Sequence, residues 1–203
     1  MSFIQILRNA LTYMFKDTDW FAKVSIGAIM LLFCFLGIGL IFIFGYQVLL
    51  LRRLLSNQRD SLPEWLPLRP VIKEGVLSLS LILIFLIPLF CFLLFSKNLP
   101  LLVGIGIITL FLIPLSQTRF AETGSFWSGL DIIRIFHMLM IHWKKIIIFL
   151  PIGYFFVCIT VCFGWMCIIV GWPFIIFWGI LVFSDFVRGA ITQQSITPAT
   201  VEH

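Results

Sequence analysis

Charge is what this 203-residue chain has least of: Asp, Glu, Lys and Arg together make 11% of it, whereas 61% is hydrophobic and the mean hydropathy is +1.12. Soluble domains are about half apolar and about one quarter charged, so the shortage excludes an ordinary soluble fold and makes lipid the solvent. Acidic residues are scarcer still, 9 against 14 Lys and Arg, and His numbers three. No nucleotide-binding glycine loop, nucleophile elbow or His-Glu-x-x-His zinc pattern occurs. The net charge of +5 is not gathered into a compact basic domain, so nucleic acid is not the expected partner. All five cysteines, Cys34, Cys91, Cys158, Cys162 and Cys167, fall in apolar runs, where a thiol acts as a small hydrophobe. Cys158 and Cys162 lack a nearby His, Asp or Glu to complete a metal site. His137 and His142 are five apart and diverge around a helix, so they do not form a ligand pair. The expectation is therefore a protein with no metal, no cofactor and no catalytic residue.

What is present is a series of long runs free of ionisable acids and bases. Val24–Leu51, Gly75–Ser96 and Asn98–Thr118 are each long enough to cross about 30 Å of hydrocarbon, and Lys97, Asn98 and Pro100 mark a tight hairpin between the second and third. A fourth run, Ile146–Ser184, holds 39 residues, roughly twice what one span needs at ~1.5 Å per residue. Gly164, Gly171 and Pro173 divide it, with Trp165 and Trp172 flanking the turn, into spans over 146–165 and 172–186, the latter short and open to a re-entrant reading. The expected fold is all-α: one polytopic membrane bundle of about five spans with amphipathic interfacial helices, in the inner or plasma membrane of its cell.

The segments between spans carry the charge. Phe3, Ile6, Leu7, Ala10 and Met14 share one helical face, so residues 1–22 read as an interfacial helix, not a cleaved signal peptide. In 52–74, Pro63, Pro67 and Pro70 oppose a continuous helix and leave a folded link whose Leu62, Trp65, Leu66 and Leu68 dip into the interface. In 119–145, Ile132, Phe136, Leu139, Met140 and Trp143 oppose Asp131, Arg134, His142 and Lys145, again an interfacial pattern. Five spans put 10 Lys and Arg on the side of these two segments and 4 on the other. By the positive-inside rule 52–74, 119–145 and the flexible tail 192–203 face the cytoplasm and the amino terminus lies outside. A re-entrant break at Gly37 and Gly39 would instead bring the amino terminus inside. Arg52, Arg53, Glu64, Trp65, Trp127, Lys144 and Lys145 are the candidate contacts to anionic headgroups or a protein partner, on one shared platform with both tryptophans at headgroup depth. Glu64 and Glu122 are expected to fold back onto cations or backbone donors.

Asp185 and Arg188 end a long uncharged run at i, i+3 spacing, which reads as a membrane-boundary ion pair. No other acid falls in an expected span, so an ion relay would lack its second member. A weak echo relates Trp65 to Trp127, 62 residues on, and Pro88 to Pro151, 63 on, as a candidate duplication.

The series Gly45-Tyr46, Leu51-Arg52-Arg53, Ser61-Leu62-Pro63-Glu64-Trp65, Lys73-Glu74-Gly75 and Arg119-Phe120-Ala121-Glu122-Thr123-Gly124-Ser125-Phe126 resembles the prokaryotic membrane family known as domain of unknown function four thousand and thirteen. The likeness runs from about Trp20 to Arg188, with Leu66-Pro67-Leu68-Arg69-Pro70 replacing the family's acidic and aromatic continuation. It implies a bacterial or archaeal multi-span protein and no catalytic residue. Two functions fit: a non-enzymatic module that organises lipid, a homo-oligomer or a membrane protein partner, and a small-solute permease or pore. A lipid-directed enzyme would have only Glu64, His137 and His142 at its disposal.

Overall fold

The computed structural model describes residues 17–56, 62–95, 98–166 and 171–192, together with Thr12 and Phe15. Within them the chain forms seven α-helices and no strand: α1 (Trp20–Leu32), α2 (Ile38–Leu55), α3 (Leu68–Phe95), α4 (Leu99–Thr123), α5 (Phe126–Gly129), α6 (Ile132–Met166) and α7 (Gly171–Thr192). Five of these, α2, α3, α4, α6 and α7, are long and apolar enough to cross a membrane. The all-α, multi-span architecture expected from composition is what the chain adopts.

The first apolar run departs from expectation. Val24–Leu51 is not one span: α1 stops after 13 residues, about 20 Å at ~1.5 Å per residue, and a 3₁₀ turn over Phe33–Leu36 leads to Gly37 at φ 75°. That left-handed conformation suits a residue without Cβ. Gly39 then starts α2 against the Met30 carbonyl, where a side chain would collide with backbone. The chain turns back on itself, and the start of α1 returns to the link after α2: Lys23 reaches the Leu62 carbonyl at 3.2 Å. Asp17 and Lys23 therefore lie at the same end of the bundle as residues 62–65, in the manner of the alternative reading in which the first run breaks at Gly37 and Gly39. Most of the expected interfacial helix over 1–22 lies outside the described residues.

Elsewhere the helices run further than the charge-free runs that define them. Helix α3 begins at Leu68 because Pro70 falls in its first turn, where the missing N–H costs nothing. Helix α4 is capped by Asn98, whose side chain accepts from the Leu101 amide, and ends on Gly124 at φ 69°. Residues 119–145 are not a separate interfacial helix: they comprise the end of α4, the single turn α5 and the first part of α6. Helix α6 continues unbroken for 35 residues, roughly 52 Å at ~1.5 Å per residue, because 131–145 and 146–165 share one helical register. Helix α7 spans 22 residues, longer than its apolar run suggests. The turn at 167–170, Lys97, the Trp165 side chain and all but the first residue of the tail lie outside the described residues.

Packing joins these helices into one bundle. Gly45 of α2 lies on the Val71 carbonyl of α3 and Gly75 of α3 on the Ile41 carbonyl of α2, so the two backbones touch and run antiparallel. Small residues permit such approach between membrane helices, where dispersion replaces the hydrophobic effect as the driving force. A second cluster joins Phe85, Leu115, Ile135, Ile146, Phe149, Val182 and Phe186 from α3, α4, α6 and α7. Proline shapes the interior too: Pro114 deprives the Leu110 carbonyl of its helical donor, and the Tyr154 hydroxyl of α6 donates to that carbonyl at 2.8 Å.

Candidate functional site

The polar chemistry of the described residues gathers where α1 begins and α2 ends. The Asp17 carboxylate accepts from Lys23 Nζ at 2.9 Å, from the Leu62 amide at 2.6 Å and from the Asp19 amide at 2.8 Å. Lys23 Nζ also stands 2.8 Å from Glu64 Oε1. Asp17 and Lys23 are each only 6% exposed, and charges so buried persist only when paired and hydrogen-bonded. Burial raises the Asp17 pKa, but the bonds from Lys23 and from the Asp19 and Leu62 amides outweigh it and hold the carboxyl below its ordinary value of 3.8. Glu64 thus folds back onto a cation, as its surroundings in the sequence suggest.

The same link is strapped down by two more donors. Arg53 Nη1 donates to the Leu62 carbonyl at 2.8 Å, and Trp65 Nε1 donates to the Lys23 carbonyl at 2.8 Å. Trp65 stacks on Tyr46 with ring centres 4.2 Å apart and meets Phe177 of α7 at 5.9 Å. At 4% exposure it is a core residue, which corrects its reading as a contact presented to headgroups or a partner. The reason is its neighbour: with Leu66 at 73% exposure, the link points Leu66 outward and Trp65 inward. Beside it, Leu68, Arg69, Ile72 and Lys73 are exposed on the first turns of α3. Arg69 and Lys73 are not among the candidate contacts read from the sequence, yet both are exposed here. Their i, i+4 spacing places both on one helical face, a signal legible only once α3 is known to begin at Leu68.

Arg52 ties three helices. Its Nη1 lies 3.2 Å from Glu74 Oε1 of α3 and its Nε donates to the Ala121 carbonyl of α4 at 3.1 Å. Arg52 and Arg53 therefore act as internal braces, while Arg119 pairs with Glu122 at 3.0 Å. Trp127 is 76% exposed, unlike Trp65, so the two positions of the apparent duplication occupy unlike environments. Pro88 and Pro151 both lie inside helices, α3 and α6, as prolines of any span would.

On α6 the apolar stripe of Ile132, Phe136, Met140 and Trp143 faces outward, and Lys144 is exposed beside Trp143, 5.8 Å from its ring centre. Lys145 is half-buried. His137 is exposed, and His142 Nδ1 contacts the Met138 carbonyl at 3.2 Å, so the histidines do not converge. Asp185 and Arg188 form the expected ion pair at 3.1 Å, but they are 2% and 7% exposed, enclosed by protein. Among the described residues no group of three His, Cys, Asp or Glu side chains stands together to hold a metal. Compared with family models, curated proteins and solved structures, the chain shows no match.

Proposed function

We propose that this protein is a non-enzymatic multi-span membrane module that organises anionic lipid around its basic end. The observation that carries the reading is the division of labour among cations. Lys23, Arg52 and Arg119 are matched by carboxylates, whereas exposed Arg69, Lys73 and Lys144 have no carboxylate partner among the described residues. Those free cations stand beside exposed Leu66, Leu68, Ile72 and Trp143. Apolar side chains that enter the acyl boundary beside cations that stay at the phosphates are the composition of a lipid-binding rim. The sequence resemblance supports a prokaryotic cell membrane and the domain-of-unknown-function family named above.

Each such cation contributes about 1 kcal/mol near an anionic surface. The double substitution Arg69→Gln with Lys73→Gln is expected to lower the phosphatidylglycerol retained by the purified protein by roughly tenfold or more. Quantifying co-purified lipid by mass spectrometry tests this, and unchanged retention overturns it. The competing reading, a small-solute permease or pore, predicts solute uptake by proteoliposomes that a lipid-organising module does not.

A further inference from the structure

Between α1, α2, α3, α4, α6 and α7 the bundle forms a partly open cavity of about 590 Å³, lined by residues that include Ile43, Ile82, Pro114 and Phe183. Its volume falls in the range of small-molecule sites, about 300–1,000 Å³. Among the described residues none that lines it carries a charge, and two are glutamines: Gln47 of α2 and Gln117 of α4. Gln47 is 7% exposed, and its amide has no hydrogen-bond partner among the described residues. An amide left unmet among apolar side chains is costly. Gln117 is 3% exposed, and its amide nitrogen donates to Ser78 Oγ at 3.2 Å, which leaves its carbonyl oxygen as the acceptor it has to offer.

We propose that this cavity is a binding site for a neutral lipid alcohol, a long apolar molecule carrying one hydroxyl. The chemistry selects that head. A hydroxyl both donates and accepts, so it donates to the Gln117 carbonyl while accepting from the Gln47 amide. An ether or ester head only accepts and leaves the Gln117 carbonyl unmet. A carboxylate or phosphate would enter a lining with no counter-charge and would be desolvated without compensation. The largely apolar remainder of the wall takes the chain, and the Tyr154 hydroxyl beside it is already donated to the Leu110 carbonyl. This site is separate from the basic rim, so its failure leaves the anionic-lipid reading standing, and the reverse also holds.

The test is equilibrium binding of radiolabelled oleyl alcohol to the full-length protein in nanodiscs of uncharged lipid. Saturable binding at one site per chain is expected, displaced by unlabelled oleyl alcohol. Oleyl methyl ether and oleate are each expected to compete on the order of tenfold less well, the worth of one buried hydrogen bond or more. Gln47→Leu and Gln117→Leu are expected to weaken alcohol binding by a similar factor while equalising alcohol and ether. Absence of saturable binding overturns the proposal. So does an ether that competes as well as the alcohol on the unaltered protein, since the cavity is then a mere acyl-chain pocket. That comparison needs no variant and stands even where a substituted protein fails to fold.

Discussion

Gly45 and Gly75 show how far one absent methyl group reaches. Each lies against a backbone carbonyl of the neighbouring helix, Val71 and Ile41 respectively, and a carbonyl in a helix cannot move aside as a side chain does. Gly45→Ala or Gly75→Ala is therefore expected to destabilise the bundle by about 1–3 kcal/mol through overpacking. Gly104→Ala meets nothing within 4 Å and is expected to be neutral or stabilising. Unfolding from mixed micelles measures both, and equal costs at Gly45 and Gly104 would refute the close contact. Tyr154 makes a similar argument with a hydrogen bond. Its removal in Tyr154→Phe is expected to cost about 0.6–2 kcal/mol. In a Pro114→Ala background the new Ala amide occupies the Leu110 carbonyl, and that cost is expected to vanish. An additive double-mutant cycle would show the proline and tyrosine to be unrelated.

At the scale of elements, α1 is the piece held by chemistry more than by length. It is too short to span, and the Asp17, Lys23 and Glu64 cluster pins its start to the link after α2. Because the folded Asp17 pKa is depressed below 3.8, the carboxylate's contribution is fully present above that value and is lost as pH falls through the folded value. Acidification below about pH 3.8 is thus expected to loosen the link from α1 and expose Trp65, read as a red shift in a single-Trp65 variant. Asp17→Asn is expected to shift the emission at neutral pH and flatten the profile. A pH profile unchanged by the substitution would remove Asp17 from the latch. The same element explains a limit of sequence reading. The run 24–51 carries no charge to mark a turn inside it, and a glycine in an apolar run serves equally as a packing position or as a break.

For the whole molecule the hairpin of α1 and α2 decides the topology. With the start of α1 beside the link after α2, Lys23 joins Arg52, Arg53, Arg69 and Lys73 at one end of the bundle, a stronger asymmetry among the described residues than one membrane-crossing first run allows. Single cysteines introduced at Thr12 and Ser56 of a cysteine-free variant are expected to label from the same side with an impermeant maleimide, and one at Asn98 from the other. Labelling of Thr12 and Ser56 from opposite sides would restore a first run that crosses the membrane.

Composition and charge spacing alone determined the class of this protein: an uncharged run of twenty or more residues has one stable form in lipid, a helix, because only a helix satisfies its own backbone. The i, i+3 ion pair of Asp185 and Arg188 was legible for the same reason, since helical geometry is local. Tertiary structure decided what no local rule reaches. Whether Trp65 meets headgroups or Tyr46 depends on where the link folds, and Arg52 becomes a brace only because Glu74 and Ala121 arrive beside it from two other helices. The Gln47 and Gln117 amides, 70 residues apart in the chain, line one cavity because helix packing is a property of the assembled surfaces and not of any single run.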